Sequence, residues 1–183
     1  MAMIIQQPVP APVIPIMKKQ GIIIKQFKSV KAFETLLFKF LKRNNVLHLS
    51  TGRNNVVRST PLEYRLVERT FYILSEGGGK FANLAVNRRV CFSIAEPYHP
   101  REDFWSYKGV QVWGTATVYS SKENPRQFNA TLKKMRIFDS LKSLGIKELS
   151  PAFNYRIIAI APDIIKYVNP REGVFRVTWK RRG

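Results

Sequence analysis

The reversals between Val46 and Ser75 are the strongest constraint on how this chain folds. Val46–Ser50 alternates apolar and polar residues and runs into a turn signal at Thr51-Gly52. A second β-like run extends from Val56 to Val67, and Glu68-Arg69 then turns the chain into Phe71–Ser75. Reversals this short join antiparallel neighbours, whereas a parallel pair needs a crossover of about a dozen residues. A meander is therefore expected, and a βαβ series is excluded.

Further strands are predicted at Val90–Ala95, Gly109–Tyr119, Tyr155–Ala161 and Phe175–Trp179, with Pro162-Asp163 as a turn. Val110, Val112, Gly114, Ala116 and Val118 fall on one face of their strand. Two helices flank this β-rich stretch. Ser29 is placed to cap the first, where Val30, Phe33, Leu36, Leu37, Phe40 and Leu41 recur at helical spacing. The second covers 121–143, with Pro125 in its first turn. The expected fold is mainly β with flanking helices, a barrel with helical plugs. Pro8, Pro10, Pro12 and Pro15 make residues 1–20 an extended arm ahead of a domain at 21–183.

Composition narrows the chemistry. A single cysteine, Cys91, excludes an internal disulfide framework, and the two histidines, His48 and His99, are unclustered, so no metal site is expected. No apolar run approaches the ~20 residues of a membrane span, and the prolines make the N-terminus a poor signal peptide. Together these favour the cytoplasm. The 31 basic and 12 acidic residues give a net charge of +19. Charge of that sign attracts polyanions, so a nucleic-acid-binding β-barrel is the alternative from a different class. The basic residues are scattered rather than gathered in one stripe, which favours the reading below.

The stretch Phe71-Tyr-Ile-Leu-Ser-Glu-Gly-Gly-Gly-Lys-Phe-Ala-Asn-Leu84 carries the most chemistry. A strand runs into three glycines and then a short helix beginning at Lys80. Glycines let backbone approach a ligand closely, unpaired amides at a helix start suit a phosphate, and Lys80 adds a full charge. Ser75 offers a hydroxyl and Asn83 an amide donor. Arg58, on the strand before the tight reversal, can reach the same anion. Pro61 within that strand marks an edge, where free backbone groups suit a planar heterocycle.

These segments in this order resemble the pyridoxamine 5'-phosphate oxidase-related flavin-binding family. The resemblance rests on Val46-Leu-His-Leu-Ser-Thr51, Arg58-Ser-Thr-Pro61, Ser75 to Leu84, Asn87-Arg-Arg-Val-Cys-Phe-Ser93 and Val110-Gln-Val-Trp-Gly-Thr-Ala116. The tail, Ile160-Ala-Pro-Asp-Ile-Ile165 and Trp179, is similar too. The resemblance implies an FMN-binding split β-barrel, a homodimer with FMN at its interface, and oxidoreductase chemistry on a small-molecule or electron-transfer substrate. It implies that Arg58 and Lys80 hold the phosphate, beside Gly79. Ser59, Thr60, Pro61, Leu62, Ile73, Leu74 and Ser75 would line the flavin and ribityl chain, with Asn83 supporting the loop. Gln111 and Trp113 would come from the partner subunit's strand.

The sequence departs from the oxidase proper in three places. Gly79 stands where an Arg is expected, Glu63 where a Lys is, and Gly109 where a Gln is. No C-terminal substrate-binding arginine pattern is present. FMN binding tolerates these departures better than vitamin B6 oxidation does, and deazaflavin or haem remain alternatives on the same fold. Trp105, Tyr107 and Trp113 are candidates to stack on a flavin, although strand aromatics usually belong to the core.

Overall fold

The computed structural model describes residues 2–182. The chain is mostly β, an antiparallel sheet with helices beside it. It divides into two compact units, the first of residues 1–44, 91–113 and 163–183, and the second of 45–90 and 114–162.

The first unit contains β1 (Ala2–Gln6), α1 (Val13–Lys19) and α2 (Val30–Arg43). The first twenty residues are therefore not an extended arm. β1 pairs antiparallel with Val174–Arg181, Ile4 opposite Trp179. Pro12 is the N-cap of α1, and Pro15 falls within its first turn, where a missing N–H removes no helical bond. α2 forms as its spacing predicts. Ser29 Oγ accepts from the Ala32 amide at 3.2 Å, and Phe33, Leu37, Phe40 and Leu41 are buried. Phe33 and Phe40 pack against Tyr167, and Glu34 accepts from the Trp179 indole at 2.9 Å.

The second unit begins with β2 (Val46–Arg53) and β3 (Val56–Glu63), a hairpin turning at Asn54-Asn55, three positions later than the Thr51-Gly52 signal implied. Both asparagines have positive φ, 49° and 62°, which short amide side chains tolerate. Tyr64 interrupts the run that the sequence presented as one strand. β4 (Arg65–Val67) then pairs with β5 (Thr70–Ser75) across Glu68, whose φ is 56°. α3 (Lys80–Val86) follows the glycines, and β6 (Arg89–Ala95) and β7 (Gly109–Ser120) come next.

The helix expected over 121–143 is broken. α4 (Pro125–Met135) ends at Arg136, which takes the left-handed conformation at φ 51°, and α5 (Ile137–Leu141) starts anew. Phe128, Leu132 and Met135 of α4 bury against Ile157.

β8 (Arg156–Asn169) corrects the expectation of a turn at Pro162-Asp163, because it runs straight through both. Residues 156–160 pair with β5, and 164–169 pair with β9 (Val174–Arg181). Pro162 falls in the gap between those two ladders, where neither needs its missing N–H.

Candidate functional site

Antiparallel register places Thr51 of β2 directly opposite Arg58 of β3, so both side chains share a face. Thr51 is buried, and its carbonyl and hydroxyl oxygens accept from Asn83 Nδ2 at 3.2 and 3.1 Å. That pair of bonds moors α3 to β2, beside Arg58. Asn87 adds a third bond, donating to the Gly52 carbonyl at 3.3 Å.

The mooring sets the approach of the glycine turn. A Cβ built on Gly79 would collide with Arg58 Nη1, so the guanidinium occupies the space that any side chain at 79 would take. Gly78 has φ 107°, which only glycine adopts easily. Lys80 is buried, with its Nζ donating to the Gly77 carbonyl. Ser75 Oγ donates to the same carbonyl at 3.3 Å.

Burial holds the Lys80 amine below its ordinary pKa, and the positive charges of Arg58 and then Arg156 push it further down. Among the described residues, Arg58, Lys80 and Arg156 have no carboxylate partner. Lys80, pressed by two like charges and with no acid paired to it among the described residues, marks a place short of negative charge. Beside Arg58 lies a cavity of about 360 Å³ lined by Arg53, Asn54, Val56, Arg58, Gly79, Ala82 and Asn83, while Arg156 lines a separate one with Phe81. An anion in this cavity would relieve the repulsion.

Arg58, Gly79, Lys80 and Asn83 thus come together in one unit. Thr60 and Leu62 share the Arg58 face of β3, while Ser59 and Pro61 alternate to the opposite face. β3 ends the strand order, so its outer backbone edge lacks a strand partner among the described residues. Leu74 and Ser75 close β5, opposite Ile157 and Arg156. The helix start contributes less than the sequence implied. α3 has seven residues, and its Phe81 amide already donates to the Gly78 carbonyl. The electrostatics of the site are those of side-chain cations.

Gln111 and Trp113 line no part of this cavity. They belong to the first unit, where Lys166 Nζ lies 5.1 Å from the Trp113 ring centroid. Gln111 lines a cavity of about 770 Å³ with Tyr98, Tyr107, Lys166 and Arg176. Burial raises the Tyr107 hydroxyl above its ordinary pKa. Trp105 instead stacks edge-on with Phe104, at 5.3 Å.

Sequence reasoning missed Arg53 and Arg156. Arg53 was hidden because the β2 strand was ended three residues early. Arg156 joins the site only through the β5–β8 pairing, and no local pattern announces a long-range ladder.

The sequence profile of the family described as Pyridoxamine 5'-phosphate oxidase matches residues 34–163. No curated protein matches the sequence. Among solved structures, the chain resembles a Clostridium acetobutylicum protein related to general stress protein 26 of B. subtilis (pyridoxinephosphate oxidase family). The TM-score is 0.57 at 13% identity, covering 83% of this chain and 96% of that one. A FAD-binding protein from Mesorhizobium loti aligns with TM-score 0.53 at 16% identity, over 81% of this chain and 94% of that one. A heme binding protein from Mycobacterium smegmatis gives 0.51 at 16% identity, over 73% of this chain and 51% of that one. These likenesses identify the fold as the split barrel.

Proposed function

The chain belongs to the pyridoxamine 5'-phosphate oxidase family, and from that membership we propose that it is an FMN-binding oxidoreductase that works as a homodimer. The observation that carries the cofactor reading is Arg58 lining a cavity beside Gly79, with Lys80 buried one residue on and, among the described residues, no acid paired to either cation.

The donor set suits the phosphate end of FMN. A phosphomonoester brings about two negative charges and three acceptor oxygens at neutral pH. Arg58 offers a planar fork of donors and Lys80 a compact charge, the two cation types that phosphate sites use. Asn83 holds α3 in place rather than touching the ligand, since both its donor contacts go to Thr51. The outer edge of β3 at residues 59–62 and the end of β5 at Leu74 and Ser75 would flank the ribityl chain and ring. Here the backbone would do much of the work, because Ser59 and Pro61 turn their side chains to the other face. Gln111 and Trp113 would serve the partner subunit's cofactor.

When bound, FMN supplies hydride and electron transfer, so the protein needs only to bind, orient and shield it. That requirement fits a site with cations and backbone groups but no nucleophile–base pair.

The absorption spectrum of the purified protein, before and after incubation with FMN and desalting, tests this reading. The expected result is a two-band flavin spectrum that survives desalting. A Soret band would assign haem instead. A protein that stays colourless and retains no added FMN would overturn the proposal.

A further inference from the structure

Arg156 stands apart from the residues that the sequence pattern assigned to phosphate binding. It lies about seventy-five residues beyond Lys80 in the chain and opens β8, where the ladder sets it opposite Ser75. Ser75 is the last residue of β5 before the glycine turn, and its hydroxyl bonds the Gly77 carbonyl that Lys80 also bonds. The same turn is thus approached from β3 by Arg58, from α3 by Lys80 and from β8 by Arg156.

Phe81 fixes the two cations that flank it. Arg156 Cζ lies 4.6 Å from the Phe81 ring centroid, and Lys80 Nζ lies 4.9 Å from it. A ring face attracts a cation, which offsets part of the cost of holding two like charges close. It does not neutralise them. Arg156 has no ion-pair partner among the described residues, although Glu123 lines the 430 Å³ cavity that it shares with Arg88 and Phe81. An arginine held on an aromatic ring, near a second cation and unpaired, is poised for an anion.

We propose that Arg156 is a third phosphate-binding cation of the flavin site and the residue by which the site selects phosphorylated over unphosphorylated flavin. This rests on the FMN reading above and extends it to a residue outside the segments from which the phosphate contacts were inferred. Gly79 leaves the position before Lys80 without a charge, and Arg156 restores the count from across the β5–β8 ladder. The repulsion it exerts on Lys80 in the free protein supports the same placement.

The test is a flavin-fluorescence titration with FMN and with riboflavin, on the wild-type protein, Arg156→Gln and Arg156→Lys. The wild type should bind FMN more tightly than riboflavin. Arg156→Gln should weaken FMN by roughly 10- to 100-fold, the factor for one lost charge-assisted hydrogen bond, and leave riboflavin unchanged. Arg156→Lys should recover part of the loss, because charge is kept and the fork is not. If the wild type binds both flavins equally, the phosphate reading itself fails. If the wild type prefers FMN and Arg156→Gln keeps that preference in full, the assignment of Arg156 fails while the site stands. An equal loss for both flavins would make Arg156 a structural residue and would also overturn the assignment.

Discussion

Gly79 matters for the side chain it lacks. The atom nearest a Cβ at this position is the far end of Arg58, which can swing away at little cost to the fold. Gly79→Ala is therefore expected to leave thermal stability nearly unchanged while weakening FMN by about 1–3 kcal/mol, the scale of a displaced charge-assisted hydrogen bond. Calorimetry on the free protein, paired with a binding titration, separates the two effects. Lys80→Ala should weaken FMN by about the same amount, and unchanged affinity would remove Lys80 from the site. The Lys80 amine also gives the site a pH signature. Its folded pKa lies below the ordinary 10.5, so above the folded value the unfolded chain binds more protons. Stability of the free protein should then rise as pH climbs through the lowered pKa toward 10.5. A bound dianion pulls the proton back, so FMN affinity should fall over the same interval. Lys80→Met should abolish both trends. Lys80, Arg58, Gly79 and Asn83 were legible in the sequence because a glycine turn before a lysine and an arginine one hairpin away are local signals. Arg156 was not, because its proximity exists only once β8 has paired.

At the scale of elements, Asn83 supplies two of the three side-chain bonds that hold α3 and its C-cap to β2. Asn83→Leu removes both bonds to Thr51 and leaves a buried carbonyl and hydroxyl without that donor. The expected cost is about 1–3 kcal/mol of stability, together with loss of FMN binding as the glycine turn shifts. Denaturant melts and a flavin titration of the same variant check this. α2 was the most legible element. A serine cap and an apolar face at 3.6-residue spacing leave little freedom, and Phe33→Ala, at a fully buried position, should cost about 3–5 kcal/mol. The elements that misled did so for different reasons, and in one of them tertiary pairing overrides a local breaker. Pro162 signals a turn yet lies in a strand, because the partner changes there from β5 to β9. Arg136 looks like helix interior yet adopts a left-handed conformation, and the amphipathic pattern on either side gave no sign of it. The prolines of 1–20 read as an extended arm, but the chain uses Pro12 and Pro15 where a helix start tolerates them.

For the molecule as a whole, β3 is the edge that the proposed homodimer would have most reason to cover. Val56 and Val57 are 68% and 74% exposed on a strand whose outer edge has no strand partner among the described residues. Exposed apolar edge strands invite another chain unless something covers them. If the homodimer covers this edge, light scattering should give twice the 21.2 kDa of one chain, and Val57→Lys should shift the population toward monomer. The net charge of +19 then has a more specific expression than general attraction to polyanions. The central claim is that the protein holds its cofactor by a phosphate dianion among Arg58, Lys80 and Arg156. The ³¹P resonance of FMN bound to the protein, followed through acid titration, addresses this most directly. A phosphate among those cations should stay dianionic well below its free second pKa of about 6, so the shift should remain flat from pH 7 to pH 5. A bound resonance that titrates like free FMN would place the phosphate in solvent and contradict the account.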